Sequence, residues 1–127
     1  MNYFGTIILE SLESKRVLKM VKILSTKVES VGENHKTPWL KQWTLHKVEI
    51  DEGKAEKVAK LISESIDSSH KSSWYADYKN DLYHYIIFPH KVFKIDNKNE
   101  SQHTQARKYG TALGIPAHQL DWSTEIK

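Results

Sequence analysis

The chain has no cysteine. Disulfides, thiolate metal centres and a cysteine nucleophile are therefore excluded, and a reducing cytoplasm is compatible with the composition. Its five glycines (Gly5, Gly32, Gly53, Gly110 and Gly114) never cluster, so it carries neither a dinucleotide fingerprint nor a phosphate-binding loop. No cofactor is expected. Runs of membrane-spanning length are lacking, and the amino-terminal "MNYFGTIILES" has neither a basic leader nor a small-residue cleavage site. Neither a membrane span nor a secretory signal is expected. An excess of one charge is missing too: 19 Lys and Arg against 16 Asp and Glu leave +3, which permits nucleic-acid contact without demanding it.

What is present suits one folded unit. A length of 127 residues, with 39% hydrophobic and 28% charged, predicts a single globular domain spanning 1–127. A β-rich run predicts a strand over 3–11, followed by the polar break "ESLESK". In "RVLKMVKILSTKVESV", Val17, Leu18 and Val21 suit one helical turn, and the alternation after them predicts a second strand. "GENHKTP", 32–38, reads as a loop. A third strand over 39–50 follows, with neither of its sides uniformly apolar, as a bulge would produce.

Asp51 stands at an N-cap position, and Ala55, Val58, Ala59, Ile62 and Ile66 follow at helical spacing. A polar linker, "DSSHKSS", comes next. A second helix is predicted over 99–113, with Ala106, Tyr109, Gly110 and Leu113 on one stripe and Gly114 ending it.

Between the helices, Trp74 to Asp96 reads as a three-stranded meander. Asn80-Asp81 as a two-residue turn would set Tyr78 opposite Tyr83 and Asp77 opposite His84. A loop of even length around Pro89 would set Ile87 opposite Val92 and Ile86 opposite Phe93. One side of the meander then carries Asp77, His84, Ile86, Phe88, Phe93 and Ile95, and is expected to meet the helices. The other carries Trp74, Tyr78, Tyr83 and Tyr85, and is expected to stay open or be covered by the amino-terminal strands or another subunit. The fold class is α+β, a mainly antiparallel sheet with the two longer helices packed on one face. Its first part admits a ferredoxin-like arrangement.

Chemistry is sparse. A carboxylate accepting from one imidazole nitrogen fixes the tautomer and frees the other nitrogen, so Asp77 and His84 would form half of a catalytic site in a small hydrolase-like enzyme, the alternative expectation. The more ordinary reading is a structural cross-strand hydrogen bond, and no nucleophile motif stands beside it. The seven histidines (35, 46, 70, 84, 90, 103 and 118) show no HxH or HExxH spacing, so no metal site is expected. Trp39, Trp43, Trp74, Tyr78, Tyr83 and Tyr85, with Lys41, Lys47, Lys79 and Lys94, would suit stacking on single-stranded nucleic acid, although no RNA-binding consensus appears. The favoured expectation is a non-catalytic cytoplasmic binding module. Its aromatic face (Trp74, Tyr78, Tyr83, Tyr85) would meet a protein partner, a second copy of the chain or a nucleic-acid strand.

In "WYADYKND", "HYIIF", "KVFKID" and "YGTALGIPAHQLDW" the chain resembles a group of small bacterial proteins without an assigned activity. The likeness runs from "YFGTIILESL" through "TPWLKQWTLHKVEI" to Trp122. It implies a bacterial single-domain protein and transfers no catalytic residue.

Overall fold

A computed structural model describes residues 1–30, 42–66, 74–115 and 120. The expected loop over 32–38, the linker "DSSHKSS", and the positions of Trp39 and Lys41 lie outside the described residues. Strand β1 (Tyr3–Ile8) leads through two 3-10 turns, Leu9–Ser11 and Arg16–Met20, into β2 (Lys22–Ser30). Then come β3 (Gln42–Ile50), a 3-10 turn (Glu52–Lys54) and helix α1 (Ala55–Ser65). The meander β4 (Ala76–Lys79), β5 (Tyr83–Phe88) and β6 (Lys91–Asp96) precedes helix α2 (Glu100–Ala112). All six strands join one antiparallel sheet in the order β2-β3-β1-β4-β5-β6, so the fold is α+β.

Within that sheet the run β4-β1-β3-β2 has the strand order of a ferredoxin-like unit, its first crossover made of 3-10 turns in place of a full helix. Val17, from the second of those turns, is fully buried in the cluster that α1 covers. The single apolar turn around Val17 and Leu18 was thus enough to close the layer. The strand predicted over 3–11 stops at Ile8, where the chain tightens and Ser11 Oγ donates to the Ile8 carbonyl at 2.6 Å. The irregularity expected in the third strand lies instead in its partner, where β2 carries a bulge between Ile23 and Ser25.

The predicted cap at Asp51 closes the 3-10 turn that leads into α1, which itself starts after Lys54 without a side-chain cap, and the predicted stop at Gly114 ends α2. Asp51 accepts from Gly53 N at 3.4 Å at the entry to α1, and Asn99 accepts from Gln102 N at 3.0 Å at the start of α2. At the end of α2 Gly114 takes φ +94°. Its N–H donates to the Thr111 carbonyl at 3.0 Å, and that of Ile115 to the Gly110 carbonyl at 3.1 Å, the Schellman pattern.

The layers differ from expectation. Val58, Ala59 and Ile62 of α1 share one core cluster with Tyr78, Tyr85 and Ile87. Ala106 of α2 shares another with Ile86, Phe88 and Ile95. Tyr85 and Ile87 alternate with Ile86 and Phe88 along β5, so the two helices cover opposite faces of the sheet rather than one. The physical reason is that β5 is apolar on both sides. A strand buried on both faces needs a layer on each.

Candidate functional site

The site begins at the β4–β5 turn. The described residues contain one non-glycine with positive φ, His90 at +58°. A two-residue primed turn at Asn80-Asp81 needs positive φ at Asn80, and in type I′ at Asp81 as well, so it does not form. Instead Asn80 Oδ1 accepts from Leu82 N at 2.9 Å and Tyr83 N at 2.8 Å, and Asn80 N donates to the Tyr83 carbonyl at 3.0 Å. The strands consequently pair Lys79 with His84, Tyr78 with Tyr85 and Asp77 with Ile86, two residues from the expected register. A slip of two preserves which face each side chain takes. Asp77 therefore reaches His84 diagonally, and His84 Nε2 donates to Asp77 Oδ2 at 2.7 Å. At the next turn Pro89 and His90 are the two loop residues. Ile87 pairs with Val92 and Ile86 with Phe93, as expected.

Beyond His84 the structure adds a partner. His84 Nδ1 lies 3.4 Å from His103 Nε2, and His103 Nδ1 lies 3.1 Å from the Asn99 carbonyl. A carbonyl can only accept, so His103 Nδ1 carries a proton. Burial holds the His103 pKa below the ordinary imidazole value; the Asn99 carbonyl opposes the shift, and nearby His84, Arg107 and Lys79 reinforce it. The neutral ring thus turns a lone pair toward His84. His84 is 0% exposed and His103 2%, whereas the Asp77 side chain is 27% exposed. The assembly therefore meets solvent through its carboxylate, and neither His84 nitrogen is turned outward as a general base requires. Its geometry is that of a buried structural tie from β4 through β5 to α2.

The aromatic candidates separate. Trp74, Tyr78 and Tyr85 are buried, and Tyr83 alone remains exposed, at 38%, with Lys94 Nζ 4.5 Å from its ring centroid. Tyr3, Tyr78 and Tyr85 form a triangle with centroids 5.2 to 5.7 Å apart. Tyr78 Oη donates to the Ala55 carbonyl at 2.5 Å, and burial beside Tyr85 and Tyr3 pushes its pKa far above the ordinary phenol value. The expected aromatic docking face is therefore a core layer. Helix α1 lies over it, with Val58 and Ile62 in the same core cluster as the three rings. A cleft of about 700 Å³ at the edge of that layer exposes Lys57, Lys60 and Lys94 beside Glu56. Among the described residues, no group of three His, Asp or Glu is placed to hold a metal.

Two features escaped the sequence reading. His103 continues the α2 stripe one turn before Ala106 and Gly110, so helical spacing alone marks it as inward-facing. The other is β2. It is one of the two terminal strands of the sheet, and every residue in it except Glu29 is exposed, including Ile23, Leu24 and Val28. The signal lay in its composition: Ile23, Ser25, Lys27 and Glu29 alternate with Leu24, Thr26, Val28 and Ser30, and neither set is apolar enough to be a core face.

No family model, curated protein or solved structure matches this chain. No helix among the described residues is long and apolar enough to cross a membrane.

Proposed function

We propose that this chain is a non-catalytic cytoplasmic binding module that meets a protein partner along the edge of β2 rather than across its aromatic face. The observation that carries the reading is β2 itself, nine residues long, terminal in the sheet and exposed on both sides. Such an edge offers a row of main-chain donors and acceptors that another strand can complete. The hydrolase-like alternative needs a nitrogen of His84 in contact with substrate, and both nitrogens face protein partners. The nucleic-acid alternative needs stacked rings in solvent, and Trp74, Tyr78 and Tyr85 are buried.

Photo-crosslinking in cells tests the reading. A crosslinking amino acid at Val28 should yield discrete protein adducts that the same group at Lys108, on the exposed side of α2, does not. Equal labelling from both positions, or none from Val28, would refute it. A parallel assay with ester, amide and phosphate substrates should show no turnover that Asp77→Asn abolishes; such turnover would establish the enzyme reading instead.

A further inference from the structure

We propose that the occupant of the β2 edge is a second copy of this chain, paired antiparallel to the first about a two-fold axis at Val28. This deepens, and rests on, the reading of β2 as the binding edge.

The argument starts from the bulge. Between Ile23 and Ser25 the pleat is interrupted, so the regular part of the edge is Ser25 to Ser30, paired inward from Ser25 with Lys47 to Ser30 with Gln42. Two copies joined edge to edge in one continuous antiparallel sheet are related by an axis perpendicular to it. Opposed residues must then share a face, and the axis must pass through a residue.

Few choices remain. An axis at Lys27 opposes lysine to lysine, and one at Glu29 opposes glutamate to glutamate. An axis at Thr26 sets Lys27 against Ser25 and drives Glu29 onto Ile23 at the bulge, one at Ser25 drives Lys27 onto Ile23, and one at Ser30 opposes none of the other regular residues to one another. An axis at Val28 sets Lys27 against Glu29 of the second copy in both directions, Thr26 against Ser30, and Val28 against itself.

The side chains agree with that choice. Lys27 Nζ lies 3.5 Å from Glu29 Oε2 within the strand, so both sit on one face. Pairing at Val28 places each lysine between two carboxylates, a run of four alternating charges. Val28, 56% exposed, gains an apolar neighbour on the axis. A closed pair also conceals an edge that would otherwise invite open-ended association.

Charge reversal reads the register directly. Sedimentation across a concentration series should find wild-type dimers. Lys27→Glu opposes four carboxylates and Glu29→Lys four ammonium groups, and each should weaken association by about tenfold or more. The double variant Lys27→Glu/Glu29→Lys should restore it. An equimolar mixture of the two single variants should form heterodimers, because each then presents the charge the other lacks. Circular dichroism of each variant confirms that the exposed substitutions leave the fold intact.

A wild type that stays monomeric, single variants that associate like the wild type, or a mixture that fails to pair would overturn the proposal. So would chains longer than dimers, which would signal β2 joined to β6. Monomeric wild type with discrete crosslinks from Val28 to a different protein would refute the self-partner and leave the module standing. Monomeric wild type without such crosslinks would refute both.

Discussion

His84 is the residue on which most depends. Fully buried, it touches a carboxylate on β4 and an imidazole on α2, so its removal leaves the Asp77 carboxylate without the donor His84 supplies. His84→Ala should lower stability by about 1 to 3 kcal/mol. In a cycle with Asp77→Ala, urea unfolding should show a coupling of about 0.5 kcal/mol or more; additive effects would mean that the 2.7 Å contact contributes nothing. His103 predicts the pH dependence. Its pKa is lower in the folded chain than in the unfolded one, so the unfolded state takes the proton first. The contribution of the neutral ring is complete above the unfolded value, about 6.5, and is lost as pH falls through the folded value. The groups facing it are His84, Lys79 and Arg107, with Asp77 beyond His84. Unfolding measured from pH 8 to pH 5 should show this loss in the wild type and a flatter profile in His103→Gln.

At the scale of elements, two glycines are tests of packing and conformation. Gly5 on β1 faces Tyr78 on β4, and a Cβ there would lie 2.2 Å from the Asp77 carbonyl oxygen. Backbone cannot yield as a flexible side chain can, so Gly5→Ala should force β1 and β4 apart and cost about 1 to 3 kcal/mol. Calorimetry that finds it neutral would contradict the β1–β4 pairing. Gly114 is different, because a Cβ would meet nothing within 4 Å. Its φ of +94° alone makes Gly114→Ala unfavourable, by about 1 kcal/mol. The two substitutions thus separate steric from conformational cost.

Across the whole molecule the sheet divides the core in two. Ile62 of α1 packs on one face and Ile95 of β6 on the other, in separate clusters. Each change to alanine should cost about 2 to 5 kcal/mol, and because the sites share no packing partner the double variant should equal their sum within about 0.5 kcal/mol. A coupling above 1 kcal/mol in urea unfolding would mean that the helices share one layer. Phe88 joins the two halves. Its ring packs 5.1 Å from that of Tyr109 on α2, and its carbonyl accepts from Ser63 Oγ of α1 at 2.8 Å.

What the sequence by itself determined was local and periodic. The Val58 to Ile66 stripe, the cap at Asp51, the stop at Gly114 and the β5–β6 register all arise from neighbouring residues, and all are present. The meeting of Asp77 and His84 survived a wrong register because strand alternation has period two, and a slip of two leaves faces unchanged. Only the tertiary structure decided which layer covers which face. Alternation separates the tyrosines from Ile86 and Phe88, but it does not say that α1 lies on the first set and α2 on the second. The same holds for the place of β2 at an end of the sheet and the approach of His103 to His84. Each depends on strand order and helix placement, contacts between segments distant in the chain that no local period encodes.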